Sequence, residues 1–269
     1  MTLDFDAIRK YNVIPEDKMQ LADSVIRWTY PKTSIYKNDL MTLDLIAHMD
    51  WSRPIYFAVS VSPDAYCGLQ SYFRLEGLAY RLTPIRGRGG KYEFGSIDVD
   101  RMYHNLMNKF KWGEVDRAES MYLDESLMRM CLNLRIQFAK LATELIKLGR
   151  NEEAIKALNK CMAGLPEHNV RYGSVMAQFA DLYLKAGAID KGEALAKRLD
   201  ELYSEKMEYY IRHKGEYSGT FRNDFEDGLR VFNSLTESLK KYSTDKEYTA
   251  SISTKFNDYI KRGQEYMRR

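Results

Sequence analysis

Gly149 and Gly187 stand thirty-eight residues apart, and each closes a run of apolar residues at helical period. Ahead of Gly149, the residues Leu127, Met130, Cys131, Leu134, Phe138, Leu141, Leu145 and Leu148 recur every three or four positions, a single stripe on one helix. Asp124 precedes it as an N-cap, with Leu123 and Met128 spaced as a hydrophobic staple. Gly149 ends the helix and Asn151 starts another almost at once. A connection that short returns the chain antiparallel, and residues beyond about 123 are expected to run as helix after helix.

Spacing within the hairpins is informative. Ala142, Leu145, Gly149, Ala154, Leu158, Cys161 and Pro166 fall at the intervals of a tetratricopeptide (TPR) repeat, with Phe138 where that pattern usually has tryptophan. Small residues let two helices approach, large ones fill the adjacent groove, and glycine makes the turn. A second unit reads Ala180, Tyr183, Gly187, Gly192, Ala196 and Leu199, with Asp190 and Glu193 as a capping box and Ser204 where a closing proline is expected. Two further helices are expected at about 220–242 and 245–266. Asn133, Arg135, Gln137, Arg171, Gln178 and Asp181 are polar positions on or near the first helices of these units, and a TPR-like array places such residues on a concave groove that takes a peptide or partner helix.

The first half is different. Residues 1–12 read as an irregular or short extended lead-in. Pro15 suits a first helical position, and Met19, Ala22, Val25, Ile26 and Thr29 at helical spacing predict a helix that Pro31 stops. A second helix, from Asn38 or Asp39 to just before Trp51, is expected to bury Leu40, Leu43, Ile46 and Ala47. Alternation predicts strands at 55–59 and 78–85. The intervening 61–77 is too long for a tight hairpin, and a crossover helix over 63–73 implies parallel strands. Residues 86–97 form a glycine-rich loop, and Asp98 or Asp100 caps a helix to about Phe110. The expected architecture is mostly α: a small α/β unit with a two-stranded sheet at 1–115, then a TPR-like helical array, an α-α superhelix, at 116–269.

Catalytic signatures are absent from the spacing. The four histidines, His48, His104, His168 and His213, are scattered, and Cys67, Cys131 and Cys161 have no metal-ligand intervals, so neither a metal nor another cofactor is expected. The segment at 87–91 has Ile85 and Tyr92 where a phosphate-binding loop needs glycine and serine or threonine. Forty-one basic against 38 acidic residues, a net +3, argue against a nucleic-acid protein, which normally carries a basic stripe. The longest uncharged run, Ile55–Pro63, is too short to span a bilayer. Two clusters remain. Arg53, Glu76 and Arg81 flank the expected strands, either as a polar pocket or as an ion-pair set, and Glu76 is expected within salt-bridge distance of Arg53 or Arg81. Trp51, Tyr56 and Tyr80 add aromatic surface to the same candidate binding region.

The runs DLMTLDLIAHMDWSRPIYFA (39–58), LEGLAYRLTPI (75–85), MYHNLMNKFKWG (102–113) and YLDESLMRM…LRIQFAKLATELIKLGRNEEA (122–154) together resemble the soluble C-terminal region of a family of bacterial multi-pass membrane proteins of unknown function related to protein O-mannosyltransferases. That resemblance implies a non-catalytic accessory module on the extracytoplasmic, periplasmic face. Its partner is then an acceptor protein, another protein or peptide, or the membrane portion of its own parent chain. No catalytic residue carries over, because the matching positions are not in this sequence. Two rivals stand beside this reading: a free-standing TPR-type scaffold, and a small enzyme using Arg53, Glu76 and Arg81.

Overall fold

The computed structural model describes residues 1–87, 95–213 and 218–267, the side chains of 218 and 264–267 excepted. Most of the glycine-rich loop expected at 86–97, including nearly all of the phosphate-loop candidate, therefore lies outside the described residues. The chain divides into two compact units, Met1–Phe110 and Lys111–Arg269.

The first unit begins with helix α1 (Phe5–Lys10), where the sequence suggests an irregular lead-in; Asp4 caps it, accepting from the backbone N–H groups of Asp6 and Ala7. The helix expected after Pro15 is a 3₁₀ segment, Glu16–Leu21, followed by extended chain. Tertiary pairing overrides the helical spacing here. The N–H of Asp23 donates to the Pro84 carbonyl at 3.0 Å, the N–H of Ile26 to the Met1 carbonyl at 2.9 Å, and Ala22 bridges Ile85. Those bonds need an extended backbone.

Helix α2 (Lys37–Ala47) follows. It buries Asp39 and Ile46, whereas Leu40 and Ala47, expected inside, are exposed. The physical reason is Asp39. Its carboxylate accepts from Lys32 Nζ and Tyr30 Oη, each at 2.8 Å, and from the Tyr36 N–H at 3.2 Å. Lys32 holds this carboxyl below the usual range. A carboxylate so tied fixes which face of α2 turns inward.

Among the described residues, four strands replace the expected two: β1 (Tyr56–Ala58), β2 (Phe73–Leu75), β3 (Ala79–Leu82) and β4 (Ser96–Ile97), in the order β1-β3-β2-β4. The pairs β1/β3 and β2/β3 are antiparallel and β2/β4 is parallel, which corrects the parallel arrangement expected of the strands now seen as β1 and β3. The expected crossover helix is two 3₁₀ turns, Pro63–Tyr66 and Gln70–Tyr72, separated by Cys67 in the left-handed region at φ 52°. A helix cannot run through that residue, so the chain reaches Phe73 in time to form β2 and a hairpin with β3. One sheet face carries the aromatic core: Phe73 lies 4.7 Å from Phe57, 5.2 Å from Tyr66 and 5.6 Å from Tyr80 between ring centroids. Asp98 caps α3 (Val99–His104), which runs into a π-helical turn, Asn105–Lys109, and Met102 and Leu106 are buried.

Among the described residues, the second unit is six helices in three antiparallel hairpins: α4 (Glu125–Lys147) with α5 (Asn151–Gly164), α6 (Val175–Lys185) with α7 (Ile189–Arg212), and α8 (Ser218–Tyr242) with α9 (Lys246–Met267). The first helices form one layer, α6 packing on both α4 and α8. Cys131, Phe138, Leu141 and Leu145 of the stripe are buried, while Leu127 and Met130 are exposed because α4 is nine residues longer than α5 (23 − 14) and its first turns extend past it.

Gly149 and Gly192 hold their positions for different reasons. Gly149 has φ 73° with open space around it, so only its backbone conformation demands glycine. Gly192 has an ordinary φ, and an added Cβ meets the Leu184 side chain. We predict that Gly149→Ala costs about 1 kcal/mol, the left-handed penalty. Gly192→Ala is expected to cost roughly 1–3 kcal/mol through overpacking between α6 and α7. Urea denaturation measures both, and Leu184→Ala in the Gly192→Ala background should recover part of the second loss only.

Candidate functional site

Strand register builds the polar face of the sheet. Tyr56 is opposite Arg81, Arg81 opposite Arg74, and Arg74 opposite Ser96, so one row crosses all four strands on the face away from the aromatics. Two arginines directly opposite each other repel unless anions stand beside them. Glu76, at the turn joining β2 to β3, supplies one. Its Oε1 lies 3.6 Å from Arg81 and 3.2 Å from Arg101 of α3, and its Oε2 accepts from the Tyr56 hydroxyl at 2.8 Å. Asp98, the cap of α3, supplies the second, 3.8 Å from Arg101 Nε. The Glu76 carbonyl accepts from Asn105 Nδ2 at 2.7 Å, and Arg101 also donates to the Asn12 carbonyl at 3.2 Å. The expected Glu76–Arg81 pair is thus present, both residues buried.

Burial governs the electrostatics. It pushes the Glu76 carboxyl above its ordinary value, against the pull of the Tyr56 hydroxyl and Arg101. It raises the Tyr56 hydroxyl to about 12, with Glu76 adding to the rise, and lowers Arg74. Three guanidiniums, Arg74, Arg81 and Arg101, face two carboxylates, and Arg74 Nε, Arg81 Nε and Ser96 Oγ are buried without a hydrogen-bond partner among the described residues. Above this knot is an open pocket of about 460 Å³, lined by Tyr56, Glu76, Asp100, Arg101, His104, Asn105 and Lys109.

The candidate binding residues therefore separate. Tyr56 and Glu76 line the pocket, and Arg81 backs Glu76 from beneath. Tyr80 belongs to the aromatic core on the opposite face, 5.6 Å from Phe73, and burial raises its hydroxyl to about 12. Trp51 is buried at φ 65°, a conformation held by Asp50, whose Oδ1 accepts from the N–H and the hydroxyl of Ser52. Arg53 is exposed and outside the knot. Sequence reasoning does not single out Arg101 or Asn105. The signal is there: Asp98 and Arg101 stand at capping distance at the start of α3.

In the second unit, Arg135 is buried and donates to three backbone carbonyls, Leu165 at 3.0 Å, Val170 at 2.6 Å and Arg171 at 2.8 Å. Its guanidinium also lies over the Tyr172 ring at 5.3 Å. It ties α4 to the segment between α5 and α6 and does not face a groove. Gln137 is buried too, and Asn133 is half-buried. Asp181 accepts from Ser238 Oγ at 2.8 Å and Lys185 Nζ at 2.6 Å, linking α6 to α8. Arg171 is exposed. Gln178 lines a surface pocket of about 390 Å³ between α4, α6 and α8, with Leu132, Ile136, Val175, Val231 and Ser234 among its walls.

Residues 1–101 match the family described as TMEM260-associated domain 2. This stretch holds the whole sheet and Arg101, and it is consistent with a TMEM260-like relationship; residues 102–269 lie outside it. No curated protein and no solved structure matches the chain. Among the described residues, no helix is long and apolar enough to cross a membrane, and no group of histidine, cysteine and acidic side chains is arranged to hold a metal ion.

The knot makes stability depend on pH in a defined direction. Burial sets the Glu76 folded-state value above the 4.5 of the unfolded chain, so the part of the stability that depends on its protonation is full below pH 4.5 and is lost as pH rises through the folded value, while its ion pairs and the Tyr56 hydrogen bond remain. Glu76→Gln cannot titrate; unfolding free energies from pH 4 to pH 8 should show the variant gaining on the wild type as pH rises, and the reverse trend rejects the assignment. In the second unit, Arg135→Ala leaves three backbone carbonyls without their donor and should cost about 3–5 kcal/mol in urea denaturation.

Proposed function

We propose that this chain is a non-catalytic accessory module of a TMEM260-like membrane protein related to protein O-mannosyltransferases. The observation that carries the reading is the match of residues 1–101 to an associated domain, over the very segment that folds into the four-stranded unit. The pocket on the polar sheet face points the same way: Glu76 is engaged by Tyr56, Arg81 and Arg101, and a carboxylate so engaged is held as an ion-pair acceptor rather than offered as a base. In this reading the knot is structural. The membrane-spanning part of the parent and its sugar-transfer chemistry lie elsewhere in that protein, and the module works at the extracytoplasmic, periplasmic face. Its TPR-like array presents the α4–α6–α8 layer, with Gln178 and the apolar pocket walls beside it, to an acceptor protein or to the parent's own membrane portion.

The test compares sugar transfer by membranes carrying the parent protein with and without Glu76→Gln, at matched protein levels. A module leaves the rate within about twofold. A loss of roughly 10²-fold or more, the contribution of a general acid or base, makes Glu76 a catalytic residue and overturns the proposal.

A further inference from the structure

Between α5 and α7 the second unit holds an open pocket of about 370 Å³, within the range of small-ligand sites. Lys191, Ala194, Leu195 and Arg198 line it from α7, at the three- and four-residue spacing of one helix side, over about 10 Å. Asn159 and Met162 come from α5, Tyr183 from α6, and Glu167 and Tyr172 from the segment between those two helices. That segment is held firmly. Arg135 donates to the carbonyls of Leu165, Val170 and Arg171, and its guanidinium lies over the Tyr172 ring. Arg198 donates to Glu167 from Nη2 at 2.8 Å and Nε at 3.0 Å, and to Glu201 from Nη1 at 2.9 Å, so its charge is already matched.

Lys191 is not matched. Its ammonium donates to Asn159 Oδ1 at 2.8 Å, and among the described residues no carboxylate stands within ion-pair range of it. The Tyr183 hydroxyl donates to the same amide oxygen at 3.0 Å. Tyr183 is 3% exposed, and burial raises its hydroxyl above the ordinary value, so it remains a protonated donor. A lysine can only donate, so the Asn159 amide has to turn its oxygen this way. Nδ2 of Asn159 is then left without an acceptor among the described residues, beside an ammonium with N–H groups to spare. The pocket therefore offers donors and one uncompensated positive charge, set against Met162, Leu195 and two tyrosine rings. A single carboxylate on an apolar body is complementary to that surface. A phosphate dianion calls for more cationic donors than Lys191 alone supplies.

We propose that the pocket between α5 and α7 binds a monocarboxylate carried on an apolar group. Its oxygens accept from Lys191 Nζ and Asn159 Nδ2, and its apolar body lies against Met162, Leu195 and the tyrosine rings. A free aliphatic or aromatic acid and the C-terminus of a peptide ending in a large apolar residue share that chemistry. The inference stands independently of the proposed function, which rests on residues 1–101 and uses the α4–α6–α8 layer.

Calorimetric titration of the full 269-residue chain at neutral pH tests it, with circular dichroism confirming that every variant is folded. The probes are hydrocinnamate, its amide, inorganic phosphate, and the peptide N-acetyl-Gly-Gly-Phe with a free C-terminus. Hydrocinnamate should bind saturably with a Kd of about 1 mM, the scale of a small ligand with few polar contacts. Its amide should bind at least about tenfold more weakly, having lost the charge-assisted bond. Lys191→Gln removes the charge. Asn159→Asp still accepts from Tyr183 and Lys191, but it neutralises Lys191 and sets a carboxylate where the N–H groups stood. Each variant should weaken hydrocinnamate at least about tenfold. A peptide that binds at least as tightly as hydrocinnamate assigns the site to a chain end, and one that binds more weakly assigns it to a small acid. No saturable binding of either carboxylate by about 10 mM overturns the proposal. So does an amide that binds as well as the acid, an affinity unchanged in either variant, or phosphate binding more tightly than both carboxylates.

Discussion

Glu76 is the carboxylate on which the first unit is tied together. Around it converge three elements that the backbone alone would not join: β1 through the Tyr56 hydroxyl, β3 through Arg81, and α3 with its π-helical extension through Arg101 and Asn105. The strands are only two to four residues long, too short for a ladder to hold them. The aromatic layer on one face and this charged knot on the other make the sheet stable. The knot also explains why two arginines can stand opposite each other on neighbouring strands.

The second unit and α2 solve the same problem with other partners. Arg135 hands its charge to three carbonyls, and these bonds close the segment between the first two hairpins. Asp39 takes Lys32 and two neighbours, and in doing so decides which side of α2 is inside. In each case a buried charge is satisfied locally, and the consequence is positional: a sheet held against a helix, a hairpin closed on the next, one side of a helix turned inward. These are structural uses of charge, and they fit a module that supports or binds more readily than one that reacts.

The helical half is legible in the sequence because its signals are dense. Apolar residues recur every three or four positions for many turns, and Gly149 and Gly187 mark the reversals. The helices of the second unit, at nearly the expected places, follow from that. The first half is less so. Met19 to Thr29 has helical spacing, yet hydrogen bonds to Met1 and Pro84, remote in sequence, impose an extended chain. Strand β2 is three residues hidden in what reads as a crossover, so the antiparallel order is out of reach. Glu76 and Arg81 can be paired in advance because charges beside a core find partners. Arg135 reads as a groove residue in a repeat array, although Cys131, Leu134, Arg135 and Phe138 follow one face and that spacing itself places it inside.

The central claim is that this chain is a part of a membrane-anchored protein. Its most direct test is alkaline carbonate extraction of cell membranes, followed by detection with an antibody to residues 1–110 and peptide mapping of the detected band. A part of such a protein gives a band that stays with the membranes and yields peptides from upstream of Met1, including apolar stretches of about 20 residues. A band released into the soluble fraction, with Met1 as its first residue, would contradict it.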